Sequence, residues 1–179
     1  SGRVNKPGVH LAPAGITMRE LIAEYCDGMQ DGHEFYGYFP GGASGGILPA
    51  SLGDVPLDFD TLQPHGCFIG SAAIIVFSNQ DKARDLAVNA MKFFEDESCG
   101  QCTPCREGTG WLSRVIHRIE HGQGKQEDLD LLLDVSNKIM GRTICALGDA
   151  AAMPVLSFVE KFRDEFQYHI DHKKCMVGG

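Results

Sequence analysis

Apolar and polar positions follow two rhythms along this chain. Up to Ser78 the signals are short and of period two. Phe35 to Phe39 alternates aromatic and small residues, Val55 to Phe59 alternates again, and Cys67 to Phe77 ends in the β-branched run Ile74, Ile75, Val76. These three segments are predicted strands. One helix is predicted among them, from Thr17 as N-cap through Leu21, Ile22 and Tyr25, stopping before Gly28. The opening, Ser1 to Leu11, sets Arg3, Val4, Val9 and Leu11 around a Lys6-Pro7-Gly8 turn signal and reads as a short hairpin or paired strands at the start of a fragment. A small sheet interrupted by one helix predicts an α+β unit of β-grasp type over residues 1–78.

After Ser78-Asn79 the apolar period becomes 3.6, which places a domain boundary there and a second unit over 79–179. Ala83, Leu86, Ala87, Ala90, Met91 and Phe94 line one helix face. A second helix holds Trp111, Leu112, Val115, Ile116 and Ile119 inward and finishes at Gly122. A third carries Leu129, Leu132, Val135 and Ile139, with Gly141 as its stop, and a fourth starts near Asp149 and runs through Val155, Phe158, Val159, Phe162 and Phe166. Residues 80–167 thus read as a four-helix bundle followed by a C-terminal tail.

Composition narrows the partners. The net charge of −8 comes from 16 basic and 24 acidic side chains without a dense Lys/Arg run, so nucleic acid is not expected. The longest apolar run, Ala72 to Phe77, is far short of a bilayer span and no signal-peptide pattern opens the chain, so no membrane insertion is expected. Of seven cysteines, an odd number, four fall in a tight and regular pattern, which points to thiolates kept for metal in a reducing, cytoplasmic compartment.

Cys99, Cys102 and Cys105 stand at two-residue intervals in a Gly- and Pro-containing loop, a spacing that lets three sulfurs converge on one centre. A ferredoxin-type run would put the fourth ligand near residue 109, where Thr109-Gly110 stands instead. Cys145 lies between the third and fourth helices, and in an antiparallel bundle that connection returns to the end where the first loop sits. Cys99, Cys102, Cys105 and Cys145 are therefore the candidate ligands of a 4Fe-4S cluster. The alternatives are a zinc-stabilised scaffold with four Cys ligands and no redox role, or inert buried thiols. Cys26 and Cys67 read as core residues.

Other features read more plainly. His169, His172 and Cys175 have metal-like spacing, but a charged tail before a terminal Gly-Gly is better read as solvated or frayed. Gly41-Gly42-Ala43-Ser44-Gly45-Gly46 lacks the register of a nucleotide loop and reads as a turn-rich connection with close backbone packing. Trp111 reads as a core anchor.

The run Glu97-Ser98-Cys99-Gly100-Gln101-Cys102-Thr103-Pro104-Cys105-Arg106-Glu107-Gly108, with Cys145-Ala146-Leu147-Gly148-Asp149-Ala150, resembles the NADH-binding flavoprotein family. That family includes the 51-kDa subunit of respiratory complex I, the diaphorase subunit of bidirectional hydrogenases and the beta subunit of NAD-dependent formate dehydrogenases. The resemblance extends over essentially the whole chain. Ser1-Gly2-Arg3-Val4 and Lys6-Pro7-Gly8-Val9 are similar to the family's soluble-ligand-binding β-grasp (SLBB) domain. Gly41 to Pro49 and Gly66 to Ser71 are most similar to the formate dehydrogenase branch.

The resemblance implies that the four cysteines bind a 4Fe-4S cluster that takes electrons from FMN after hydride transfer with NADH. It also implies that FMN and NAD(H) bind an upstream domain with no counterpart in this chain, which by itself should not oxidise NADH. The implied partners are the FMN/NADH-binding domain of the parent subunit and ferredoxin-like or thioredoxin-like iron-sulfur subunits of a multisubunit oxidoreductase. The implied location is cytoplasmic, peripheral where the parent complex is membrane-attached.

Overall fold

The computed structural model describes residues 1–176, and the chain divides into two compact units, Ser1–Gln80 and Asp81–Gly179. The first unit is built on an antiparallel three-stranded sheet of order β2-β1-β3, formed by β1 (Phe35–Phe39), β2 (Leu48–Pro49) and β3 (Ile75–Ser78). The alternation read in β1 has a packing cause. Gly37 faces Phe77 across the ladder, and a Cβ there would come within 2.2 Å of the Phe77 ring. Helix α1 (Met18–Glu20) starts at Thr17 with a reciprocal capping box to Glu20, then widens through Leu21–Tyr25 before Gly28. Tyr38, Leu48, Leu62 and Val76 close the core with Val4, Met18 and Ile22.

Three period-two expectations change in this unit. Val55 to Phe59 is not a strand. Leu57 N–H donates to Ile16 O at 3.0 Å and Thr17 bridges Pro56, but Pro56 has no N–H with which to extend a ladder. Of Cys67 to Phe77 only the end from Ile75 is a strand, because Gly70 and Ala72 take positive φ and turn the chain first. The opening forms no hairpin either. Gly2 bridges Val76 in parallel and Val4 bridges Met29, so the segment pairs with distant chain, while Val9 and Leu11 are exposed.

The second unit is helical: α2 (Ala83–Glu97), α3 (Thr103–Arg118), α4 (Asp128–Ile139), α5 (Leu147–Lys161) and α6 (Arg163–His172). A small sheet followed by a helical bundle is the α+β class expected, and the predicted stripes are buried at Ala87, Met91, Phe94, Leu112, Ile116, Leu132, Ile139, Val155 and Phe158. Gly122 and Gly141, both at φ +70, end their helices in the left-handed region.

Two details differ from the sequence pattern. The fourth stripe is two helices, broken at Phe162 (φ −123, ψ 26), whose ring is buried while Asp164 and Glu165 supply the acidic first turn of α6. Asp149 lies inside α5 and does not cap it; its carboxylate accepts the Gly141 N–H at 2.7 Å and so ties α5 to the turn after α4. Among the described residues no helix is long and apolar enough to cross a membrane.

Candidate iron-sulfur site

The two-residue cysteine spacing becomes three successive local geometries. Cys99 sits just past α2, followed by Gly100 at φ +77, which turns the loop in a conformation that L side chains rarely adopt. Cys102 is extended and stands as the N-cap of α3, with Pro104 in the first turn, where a missing N–H costs no helical bond. Cys105 is the third residue of α3 and is buried. Cys145 lies two residues before α5, in the connection after α4.

The structure brings that connection to the first loop. Ile144 N–H donates to Cys102 Sγ at 3.4 Å, so the chain around Cys145 meets the cysteine loop across 42 residues of sequence. Ser98 Oγ lies 3.3 Å from Cys105 Sγ and accepts the Gly100 N–H. Arg106 clips the loop from outside, donating from Nη1 to Gly100 O at 2.8 Å while its Nε pairs with Glu107. On the other side, Thr143 Oγ1 donates to Cys145 O at 2.8 Å. A Cβ on Gly148 would approach Thr143 to 2.6 Å, so this turn packs against bare helix backbone.

The N-termini of α3 and α5 both begin at this place. Each carries a partial positive charge that favours anions by roughly 0.3–1 kcal/mol. Cys99 and Cys145 are exposed, Cys102 is half-buried and Cys105 is buried, and all four are free thiols. The site is thus held from inside the bundle and open on one edge. Among the described residues, no three His, Cys, Asp or Glu side chains converge closely enough to share one metal ion. A 4Fe-4S cube is broader than an ion, and each thiolate takes an iron of its own, so the donor set of four thiols suits the cluster.

Residues 85–169 match the model of the NADH-ubiquinone oxidoreductase-F iron-sulfur binding region. Over 175 residues the chain is 43% identical to the F subunit of NADH-quinone oxidoreductase from Mycobacterium tuberculosis, covering 98% of this chain and 39% of that protein. This chain carries the iron-sulfur binding region of the NADH-ubiquinone oxidoreductase F family. It spans about two fifths of the length of the curated relatives it matches. A second such relative, the F 2 subunit of NADH-quinone oxidoreductase from Rhizobium meliloti, is 42% identical, covering 98% of this chain and 42% of its own. A chain from the crystal structure of an NAD+-reducing NiFe-hydrogenase in the air-oxidized state matches with a TM-score of 0.84 at 26% identity, over 95% of this chain and 29% of that one.

Several side chains fall elsewhere than sequence placed them. Trp111 is on the outside of α3, 51% exposed, while its neighbours Leu112, Val115 and Ile116 point inward. Of the tail set, His169 is buried, His172 is exposed with its Nδ1 at Tyr168 O, and Cys175 Sγ receives a bond from Arg84 Nη2 at 3.2 Å. The tail's final Gly178-Gly179 lies outside the described residues. The glycine run packs as read: a Cβ on Gly41 would stand 2.4 Å from Ile69 O, and one on Gly45 2.8 Å from Phe68 O. Sequence reasoning gave no role to Ser98 or Ile144, the residues that touch the sulfurs of Cys105 and Cys102. Ser98, directly before the first cysteine, offered a signal; a backbone N–H such as that of Ile144 offers none.

Proposed function

We propose that Cys99, Cys102, Cys105 and Cys145 hold the 4Fe-4S cluster and that this chain is the relay carrying electrons from FMN to downstream iron-sulfur centres in an NADH dehydrogenase-type subunit. The observation that carries this reading is the Ile144 N–H to Cys102 sulfur bond, which joins the fourth thiol's turn to the three-cysteine loop. When bound, the cluster supplies one reversible one-electron step. The chain's own residues do the rest. The α3 and α5 N-termini and the N–H of Ile144 favour negative charge at the site, and the Arg106 guanidinium lies at its rim. Ser98 and Thr143 fix the two turns. The exposed edge at Cys99 and Cys145 leaves a short path for electrons to a docked acceptor.

In this reading FMN and NAD(H) belong to a separate flavin domain of the parent subunit, and the β-grasp unit is an interaction module. The acceptors are ferredoxin-like or thioredoxin-like subunits on the cytoplasmic side.

Iron, zinc and acid-labile sulfide per chain, measured on anaerobically reconstituted protein with spectra before and after dithionite, test the proposal. About four irons and four sulfides with a bleachable visible band are expected. Cys145→Ser should lose that band or convert the cluster. One zinc without sulfide, or a full cluster in Cys145→Ser, overturns the assignment.

A further inference from the structure

At the C-terminal end of α3 two imidazoles stand on one helix face. His117 is the last residue but one of α3, and His121 lies four positions on, in the widened turn Ile119–Gln123. Both are exposed, with ring centroids 3.9 Å apart and ring planes 23° from parallel. Four-residue spacing sets side chains one above the other on a helix, and it is the spacing by which paired histidines grip one metal ion. His121 is held in a definite tautomer. Its Nδ1 lies 2.8 Å from His117 O, and a carbonyl oxygen can only accept, so Nδ1 carries the proton and the neutral ring keeps its lone pair on Nε2. A ring N–H donated to a backbone carbonyl is the outer support that metal-ligating histidines use. Among the described residues, neither ring nitrogen of His117 has a hydrogen-bond partner, so a lone pair is free beside that of His121.

The charged residues between them are committed elsewhere. Arg118 turns to Asp128, with Nε and Nη2 on its two carboxylate oxygens, and Glu120 pairs with Arg84. Helix capping explains only half of the arrangement. A polar side chain in the last turn satisfies a terminal carbonyl, and His121 does this for His117, but capping calls for no second imidazole laid against the first. His172 supplies the comparison within the same unit. Its Nδ1 bonds Tyr168 O at 3.0 Å in the same way, yet its ring stacks on that of Tyr168, which has no nitrogen donor. We propose that His117 and His121 bind one divalent transition-metal ion of the zinc kind, through Nε2 of His121 and a ring nitrogen of His117, with water in the remaining positions. Imidazole nitrogen selects such ions over Mg2+ and Ca2+, which take oxygen. The site is separate from the four cysteines, since His117 is roughly 18 Å of helix from Cys105, and it does not depend on what those cysteines hold. A bound ion fastens the last turn of α3 next to the Gly122–Gly124 corner, where Lys173 Nζ, just past α6, donates to Gly124 O at 2.7 Å.

The chain, with its cysteine site reconstituted and its seven histidines labelled with 15N, is titrated anaerobically with Zn2+ while its iron content is followed. The expected result is one further zinc per chain, bound saturably, with the ring nitrogens of two histidines shifting together and excess Mg2+ without effect. His117→Ala, which removes no side-chain hydrogen bond, should weaken binding at least about tenfold and abolish one of the two moving signals. His121→Ala should do the same to the other, and His172→Ala should leave binding unchanged. Zinc held equally well by His117→Ala overturns the proposal, as does the absence of saturable binding. So does zinc that enters only as iron leaves while the imidazole signals stay unmoved, which would place it at the cysteines. A shift confined to one imidazole would leave His121 as a cap alone and overturns the paired site.

Discussion

Arg106 shows how much one side chain can do at the edge of the proposed cluster site. Its guanidinium is half-exposed and shared with Glu107, so its field at the cysteines is screened, and its effect is no more than about 1 kcal/mol, or roughly 40 mV for a one-electron couple. Arg106→Ala should lower the reduction potential by up to that amount in a spectroscopic redox titration, and Arg106→Lys should recover part of it. A potential that stays put or rises in a folded variant would remove Arg106 from the electrostatic account. Gly41 is the corresponding case for packing. With backbone oxygen 2.4 Å from where its Cβ would stand, Gly41→Ala should cost about 1–3 kcal/mol in urea unfolding. A neutral result would mean the loop can shift away and the close approach is not needed.

At the scale of elements, the least expected feature is the ionic cluster that fastens α6 to the start of α2. Arg84, almost fully buried on α2, pairs with Glu120 beyond α3 and lies 3.8 Å from Glu165 on α6. Burial pushes the Glu165 carboxyl up, against the pull of the backbone N–H groups of Arg84 and Ala83 and the Arg84 charge. Burial and then Arg84 push the His169 imidazole down. Arg84→Ala leaves the buried Glu165 carboxyl and the partly buried Glu120 carboxylate without a counter-charge and should cost about 3–5 kcal/mol, part of which Glu165→Gln should restore.

The signs of the pH effects follow from the same shifts. His169 binds its proton less readily folded than unfolded, so its contribution is complete above its ordinary value of about 6.5 and is lost as pH falls below it. Glu165 binds its proton more readily folded, so its contribution is present below about 4.3 and is lost as pH rises from there. Unfolding curves across pH should show His169→Asn flattening the acid-side loss. An unchanged profile would mean that His169 does not charge before the bundle opens.

For the whole molecule, the helical core closes through Leu112, Ile116, Leu132, Ile139, Val155 and Phe158, all deeply buried and none of them a ligand. The proposed cluster site, by contrast, is made of two turns at one end. Removing iron should therefore leave the far-ultraviolet circular dichroism nearly unchanged while hydrogen exchange accelerates around 98–102 and 143–146. Global unfolding on chelation would show instead that the cluster, not the apolar core, holds the bundle together.

The sequence by itself determined the helices of the second unit, because a 3.6 period with Gly at the stops depends only on neighbours along the chain. It also marked the three-cysteine loop, whose members lie within seven positions of one another. It brought Cys145 in only through bundle topology, and it could not name the Ile144 N–H that meets Cys102, since backbone donors carry no side-chain signature. Tertiary structure alone decided the rest. The last stripe splits at Phe162 into α5 and α6. Trp111 stands outward because its side of α3 is left uncovered. In each case the deciding contact lies outside the local window, where apolar identity says that a residue can be buried but not whether a neighbour arrives to bury it.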